Sequence, residues 1–228
     1  MGEYTGKSIG FLIRFIDIAL RLTDGMGRSV VVFCVTLMLS LPLGLLVCFG
    51  RMSRIPLIRW LTTLYISLMR GTPLMLQLYV WYFGPYYIFN IPLTGDSRFY
   101  AVIIGFAVNY AAYFAEIYRG GIQAIPIGQY EAAQVLGYSK ARTFFKIILP
   151  QVIRHIIPSI TNETITLIKD TSLSNVIAYA EMFTEAKRIS SATASLMPLA
   201  VAGIFYFTFN SVVAWGMDKL EHKLAYYR

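Results

Sequence analysis

Long uncharged stretches rich in apolar residues alternate with short basic segments along the 228-residue chain. A helix needs about 20 mainly apolar residues to cross a lipid bilayer. Four stretches approach or exceed this length without a charged residue, and we predict a membrane-spanning helix in each: residues 29–50, 71–95, 99–115 and 191–217.

A fifth span is predicted at residues 151–168, although this stretch is more polar and Pro158 is expected to kink it. We count it as a span because the loop between the neighbouring spans would otherwise be unusually apolar. Residues 176–183 are apolar but too short to span, and we expect them to pack, partly buried, against the other helices. The predicted fold class is therefore all-α, a bundle of five transmembrane helices.

Residues 1–28 are predicted to form a separate N-terminal segment, and residues 29–228 the membrane domain. In the first segment Arg14, Asp17 and Arg21 share one helical face among apolar residues, a pattern typical of a helix that lies in the membrane interface. We expect no cleavable signal peptide, because no short apolar core is followed by a small-residue cleavage site.

Composition agrees with a membrane location. Hydrophobic residues make up 57% of the chain and charged residues 14%, and the mean hydropathy is +0.59. A soluble protein this apolar would expose more apolar surface than water tolerates. The net charge of +8 does not indicate nucleic-acid binding, because the basic residues lie between apolar blocks, where they orient a membrane protein.

The distribution of basic residues predicts that orientation. Residues 51–59, 119–154 and 219–228 would share one side of the membrane and hold eleven basic residues, against seven on the other side. Since basic residues favour the cytoplasmic side, we predict a cytoplasmic C-terminus and an N-terminus outside.

No residue pattern indicates catalysis. His155 and His222 belong to no recognisable acid–base or metal constellation, and we find no glycine-rich phosphate loop followed by Lys-Ser/Thr. Cys34 and Cys48 lie in one apolar block without metal-ligand spacing, so we expect two small packing residues rather than a disulfide or metal site. We expect no catalytic residue, metal or cofactor in this chain.

The basic loop at residues 119–150 is predicted to be a helix–turn–helix outside the bilayer. Pro126 can open its first helix, and Gly137 suits the left-handed position that ends it. Ser139 can cap a second helix that runs to Pro150.

The first helix of this loop offers a surface for close contact. Ala132 and Ala133 keep one face shallow, while Val135 and Leu136 offer apolar side chains. A docking surface and an ordinary amphipathic loop helix would both show this pattern, and the residues alone leave both interpretations open.

The loop also resembles a family signature. Glu131-Ala132-Ala133, then Gly137, then Ile148-Leu149-Pro150 resembles the signature loop of the permease subunits of ATP-binding-cassette (ABC) importers. In that family the loop forms a coupling helix that docks into a groove on a cytoplasmic ATPase. The resemblance implies ATPase-coupling roles for a set of loop residues: Glu131, Ala132, Ala133, Leu136 and Gly137.

Further motifs in the same order are similar to the polar amino-acid branch of this family, of the histidine, glutamine and arginine type. They are Arg70-Gly71-Thr72-Pro73 with Gln77; Asn109, Ala112-Tyr113, Ala115-Glu116-Ile117 and Arg119-Gly120-Gly121-Ile122; and Lys169-Asp170-Thr171-Ser172-Leu173. Tyr130, where the family often has tryptophan, and Ile127, where it often has lysine, depart from the pattern.

This resemblance implies a fold, a location and partners. Such permeases are five-span helical bundles of the type I importer kind, with the N-terminus outside, in the bacterial cell membrane. Two permease chains, identical or paralogous, would pair above two cytoplasmic ATPase subunits, which bind ATP and Mg. An extracellular or periplasmic binding protein would deliver a polar L-amino acid, and the permease alone would be no enzyme.

Glu163, with Asn162 beside it, is the candidate for substrate contact in the translocation pathway. An ionisable residue inside a span is costly and is a functional candidate by default. We hypothesise that Glu163 accepts the α-ammonium or a cationic side chain of an amino acid. A buried carboxylate paired with Lys169 or with a neighbouring helix is the alternative.

Asn109 and Tyr113 fall on one face of the third span and are further candidates for the pathway, as are Thr72 and Gln77. For Asn109 and Tyr113 the alternative is hydrogen bonding between helices, which uses such residues as glue.

Two charged residues near the cytoplasmic end have simpler explanations. Glu116 shares the face of Asn109 and Tyr113, but an i, i+3 pair with Arg119 accounts for it. Arg70 is expected at the cytoplasmic interface, with its stem in lipid and its head in water.

Two other functions remain open at this point. A membrane scaffold or assembly protein without transport would have the same spans but would not dock an ATPase. An ABC permease for another small solute would share the loop and differ only in the pathway.

Overall fold

The computed structural model describes the backbone of residues 2–224 and the side chains of residues 12–224. Met1 and residues 225–228, which belong to the predicted N-terminal segment and cytoplasmic C-terminus, lie outside the described residues. Every regular element in the described part is helical, which confirms the predicted all-α class.

The helices follow one another with short connections. In chain order they are α1 (Gly2–Arg51), α2 (Pro56–Gly71), α3 (Leu74–Phe89), α4 (Ser97–Gln123), α5 (Ile127–Val135), α6 (Lys140–Thr143), a π-helical turn (Phe144–Ile148), α7 (Leu149–Asp170), a 3₁₀ helix (Thr171–Ile177), α8 (Met182–Thr193) and α9 (Met197–Leu224).

Three helices of the described part are long and apolar enough to cross a membrane: Leu12–Arg51 within α1, the whole of α4, and α9. They overlap the first, third and last predicted spans. The second and fourth predicted spans overlap shorter or more polar helices. The helices α2 and α3 have 16 residues each, and α7 carries several ionisable side chains.

Helix α1 is a single helix from Gly2 to Arg51, without a break between the predicted N-terminal segment and the first span. No proline lies before Pro42, and the glycines near residue 28 keep a helical backbone. The helix also continues through Pro42. Proline is common in apolar helices in which neighbouring groups bind the carbonyl that loses its hydrogen bond.

The predicted span at residues 71–95 was wrong in its boundaries, because the chain breaks at its start. Thr72 is extended (φ −121°, ψ 146°), as expected of a residue before proline, whose ring excludes the helical conformation from its predecessor. The break at Pro73 separates α3 from α2, a helix that the uncharged-run criterion missed because Arg59 and Arg70 shorten its apolar stretch.

The second helix of the loop was predicted to end at Pro150, and this too was wrong. Residues 140–170 continue as α6, the π-helical turn and α7. A proline within an α-helix clashes with the carbonyl four residues earlier. Here the wider π-helical turn ends immediately before Leu149-Pro150 and accommodates the ring.

The last span begins six residues later than predicted, at Met197, because residues 182–193 form α8. Ala194, in the left-handed conformation with φ 48°, ends α8. The short segment 176–183 is partly buried as predicted, since Ile177 and Met182 are in the core.

Residue contacts divide the chain into two compact units. The first comprises Met1–Thr36, Leu74–Gly105 and Thr166–Val213, and the second comprises Leu37–Pro73, Phe106–Ile165 and Ala214–Arg228. The core of the first unit includes Leu22, Met182, Ala186, Val201 and Ala202. The second unit has one cluster of Cys48, Ile66, Ala112 and Ala115 and another of Ile148, Val152 and Ile156.

The two cysteines differ in environment. Cys48 is fully buried, as predicted for a packing residue, whereas Cys34 is exposed on α1. The prediction of two packing residues is therefore correct only for Cys48. Run length places a residue in an apolar helix, but it does not say which face of that helix meets the core.

Candidate functional site

The turn after α5 has the predicted geometry. Gly137 adopts φ +75°, a left-handed conformation that a side chain would strain. The backbone N–H of Arg142 donates to the Ser139 hydroxyl at 3.3 Å, so Ser139 caps α6. The loop is therefore a helix, a glycine turn and a second helix.

The outer surface of α5 and its turn carries three exposed large apolar side chains beside the exposed polar Glu131 and Gln134. Ile127, Val135 and Leu136 are 75%, 87% and 72% exposed. Of the two alanines predicted to form a shallow outer face, only Ala132 is exposed, whereas Ala133 is 2% exposed and faces inward. Many apolar side chains elsewhere in the described part are equally exposed, so a docking role for this surface stays a prediction.

Helix α5 is fastened to the start of α7. The side-chain amides of Gln129 and Gln151 donate to each other at 2.9 and 2.6 Å. Tyr130 packs against the buried cluster that includes Ile148 and Val152. A polar contact and an apolar contact therefore join α5 to the start of α7.

Three arginines surround Glu116 of α4. The predicted pair with Arg119 is confirmed, with a 2.6 Å contact between Nη2 and Oε2. Arg51 of α1 and Arg70 of α2 also approach the carboxylate, at 3.7 and 3.9 Å. Sequence reasoning missed both, because they are distant in the chain.

Arg70 has two contacts that the sequence did not predict. Its guanidinium lies over the ring of Tyr113, 5.2 Å from the ring centre, as well as near Glu116. Its side chain is 45% exposed, and its place at the cytoplasmic interface stays a prediction. An aromatic face and a carboxylate both stabilise a planar cation, and α4 supplies both.

A cavity of about 510 Å³ opens beside this cluster. Its polar lining comes from α2, α4 and α7: Arg70, Tyr113, Glu116, His155, Ser159 and Glu163. Gly121, also in the wall, allows α4 and α7 to approach closely, because a Cβ there would lie 2.1 Å from Cγ2 of Ile156.

The structure brings Tyr113 and Glu163 together in this cavity, but not the other predicted pathway residues. Asn109 is buried, and its amide donates to the Met69 carbonyl at 3.0 Å, the interhelical bond left open as its alternative. Asn162 is exposed outside the lining.

Thr72 and Gln77 are also absent from the cavity. The Thr72 hydroxyl donates to the Leu68 carbonyl at 2.7 Å, within its own helix. Gln77 is buried in α3, in the first unit of the fold. Position within a motif therefore did not predict which side chains line the cavity.

The lining charges suit a small solute that carries both signs. Arg70 can bind a carboxylate through two parallel N–H groups. Glu163 can accept hydrogen bonds from an ammonium group, and the half-buried site weakens competition by water. A zwitterion with a primary ammonium and a carboxylate therefore matches the cavity better than an apolar solute.

A buried carboxylate in the first unit was not predicted from the sequence. Glu181 is 0% exposed and caps α8, accepting from the N–H groups of Phe183 and Thr184 at 2.8 Å each. It also accepts from the hydroxyls of Ser29 at 3.2 Å and Tyr206 at 3.0 Å. Glu181 thus joins α8 to α1 and α9, through partners too distant in sequence to foresee.

We expect Glu181→Ala to lower the free energy of unfolding by about 3 kcal/mol, because losing a helix cap costs about 1 kcal/mol and stranding buried hydroxyls costs about 1–3 kcal/mol. The thermal unfolding midpoint of the detergent-purified protein measures this. Glu185→Ala is the matched control: it removes a more exposed ion pair to Arg188 and should cost under about 1 kcal/mol. Equal shifts for the two variants would contradict the structural role of Glu181.

Comparison with known families and curated proteins gives consistent matches. Residues 40–226 match the family described as binding-protein-dependent transport system inner membrane component. The probable amino-acid ABC transporter permease YckA of Bacillus subtilis is 38% identical over 204 residues, covering 89% of this chain and 88% of that protein. The arginine transport system permease ArtQ of the same organism is 33% identical, covering 88% and 91%.

Comparison with solved structures agrees. A chain from the crystal structure of an amino acid ABC transporter with histidines aligns with a TM-score of 0.84 at 29% identity, covering 92% of this chain and 97% of that one. A chain of the inward-facing MetNI methionine ABC transporter has a TM-score of 0.64 at 15% identity, a likeness of fold.

Proposed function

This chain belongs to the family of binding-protein-dependent transport system inner membrane components, and from that premise we propose that it forms the translocation pathway of an ABC importer for a polar L-amino acid. The observation that carries the proposal is the cavity whose lining includes Arg70 and Glu163, two side chains of opposite charge. In this proposal the carboxylate of the amino acid binds Arg70, and its ammonium group binds Glu163.

The proposed topology has five spans with the N-terminus outside. They are formed by α1, the α2–α3 pair, α4, α7 and α9. In this arrangement α5 lies on the cytoplasmic side, where its exposed apolar residues Ile127, Val135 and Leu136 are available to another protein. The polar character of α7 is then accounted for by function, since ionisable residues inside spans mark solute pathways.

The proposed coupling runs from α5 to the cavity through α7. A separate ATPase subunit, which binds ATP and Mg, docks on α5 through Glu131, Ala132 and Leu136, with Gly137 setting the turn. Movement of α5 is passed to α7 by the Gln129–Gln151 amide pair. Glu163 lies further along the same helix, so a movement of the ATPase would also move Glu163.

The remaining partners follow from the same proposal. Two permease chains pair, since a pathway enclosed by five helices is small for alternating access. Two ATPase subunits dock on their cytoplasmic side. An extracellular or periplasmic binding protein delivers the amino acid.

ATP hydrolysis in proteoliposomes tests this proposal against a scaffold without transport. The permease, its ATPase and its binding protein are reconstituted, and hydrolysis is measured with the binding protein empty or loaded with amino acid. We expect the loaded binding protein to stimulate hydrolysis, because a docked α5 couples the two. Hydrolysis that is the same with the empty and the loaded binding protein would overturn the proposal and favour a scaffold.

A further inference from the structure

A second cavity, of about 390 Å³, lies in the first unit between α1 and α8. Its charged lining consists of Arg21, Asp24 and Arg28 on α1 and Glu185 and Arg188 on α8. None of these residues belongs to the proposed pathway, and the cavity is unrelated to the docking surface on α5.

Two of the three arginines are already neutralised. Arg21 pairs with Asp17 at 3.0 Å, and Arg188 pairs with Glu185 at 2.7 Å. Arg28 donates to the Ala180 backbone carbonyl at 3.0 Å and has no carboxylate partner among the described residues.

Asp24 is the matching anion. It forms no ion pair or hydrogen bond with any residue whose side chain is described, although Arg28 is one helical turn away on the same helix. Side chains four residues apart on a helix have Cβ atoms about 5–6 Å apart. The cavity therefore presents a guanidinium and a carboxylate on adjacent turns of one helix, neither in an ion pair with a described side chain.

The walls of the cavity are held in place. Gly25 of α1 packs directly on the backbone of α8, since a Cβ there would lie 2.8 Å from Cα of Met182. The buried Glu181 ties the start of α8 to Ser29 of α1. Arg28 and Asp24 are therefore presented by a fixed pair of helices, which lowers the entropic cost of binding.

The surroundings of the cavity indicate a lipid. Arg28 immediately precedes the uncharged run 29–50 and lies in Leu12–Arg51 of α1, which is long and apolar enough to cross a membrane. Val31 and Met38, within that run, are 46% and 75% exposed. The acyl chains of a lipid whose headgroup binds in the cavity would cover this exposed apolar surface. A free solute would leave the surface uncovered.

We propose that this cavity binds the headgroup of a phospholipid with a primary ammonium group, such as phosphatidylethanolamine. The phosphate binds the Arg28 guanidinium, and the ammonium group donates to the Asp24 carboxylate. A choline headgroup has no N–H to donate, so the site discriminates against phosphatidylcholine.

Native mass spectrometry of the purified transporter complex tests this with phosphatidylethanolamine and phosphatidylcholine of identical acyl chains. We expect wild type to retain phosphatidylethanolamine preferentially. Arg28→Gln should weaken that binding about tenfold, because a charge-assisted hydrogen bond is lost. Asp24→Asn should remove the preference between the two lipids. Arg14→Gln, on the same helix but outside the cavity, is the control and should change neither.

Three outcomes would overturn the proposal. Retention of both lipids could be equal in wild type, or Arg28→Gln and Arg14→Gln could behave alike. Displacement of the lipid by millimolar free amino acid or O-phosphoethanolamine would show that the ligand is a soluble zwitterion. If the lipid stays bound in the presence of both solutes, the result supports a ligand that comes from the membrane.

Discussion

Glu163→Gln is expected to lower ATP-dependent uptake of the amino acid by about tenfold to a hundredfold, with assembly intact. A hydrogen bond to a charged group contributes about 1.5–3 kcal/mol, and about 1.4 kcal/mol corresponds to a factor of ten. The amide keeps the shape of the side chain but loses the negative charge that would hold an ammonium group in the cavity. Uptake kinetics in proteoliposomes, at matched protein content, measure the effect.

Glu221→Gln is the matched control for Glu163, since it makes the same change on the exposed end of α9, outside the cavity. It should leave uptake within about twofold of wild type, as surface changes away from a site usually do. Thermal stability of both variants separates function from structure. A loss of stability in Glu163→Gln in proportion to the loss of uptake would show that Glu163 serves only as a structural partner, and unchanged kinetics would exclude it from the pathway.

Gly137→Val is expected to reduce association with the ATPase by about tenfold or more. A non-glycine residue in a left-handed conformation costs about 1–3 kcal/mol, and a β-branched side chain tolerates φ +75° least. The chain would relieve the strain by rotating the turn after α5. That rotation displaces Val135 and Leu136, which we propose to contact the ATPase. Co-purification of the ATPase with the tagged permease measures the loss.

The Gly137→Asn variant separates the effect of backbone conformation on ATPase binding from the effect of side-chain bulk. Asparagine adopts the left-handed conformation more readily than other residues with a Cβ, and open space surrounds Gly137. Most of the ATPase should therefore remain bound to this variant. Equal losses for valine and asparagine would show that bulk at this position, not the turn, blocks docking, and full retention by Gly137→Val would contradict the proposed role of the turn.

Features that depend on neighbours in the chain were predictable from the sequence. Three of the four uncharged runs overlap the long apolar helices α1, α4 and α9, whereas the run 71–95 contains only the 16-residue α3. The glycine turn and the serine cap of the loop follow from backbone preferences of single residues, and Gly137 and Ser139 have the expected geometry. The break before Pro73 follows from the same local physics, although the uncharged run concealed it.

Features that depend on contacts between distant segments were not predictable. Arg51 and Arg70 meet Glu116 only because three helices pack together. Glu181 gains its partners Ser29 and Tyr206 in the same way. Such contacts also decide which predicted pathway residues share a cavity, since a helical pattern gives a face but not the neighbour of that face.

Transport itself tests the central claim most directly. The chain is reconstituted with its ATPase and binding protein in liposomes, and ATP-dependent uptake of one labelled polar amino acid is measured with the other standard amino acids as competitors. The proposed function predicts saturable uptake that requires ATP and is inhibited by a defined set of zwitterionic amino acids. Absence of uptake together with absence of competition by any amino acid would contradict it.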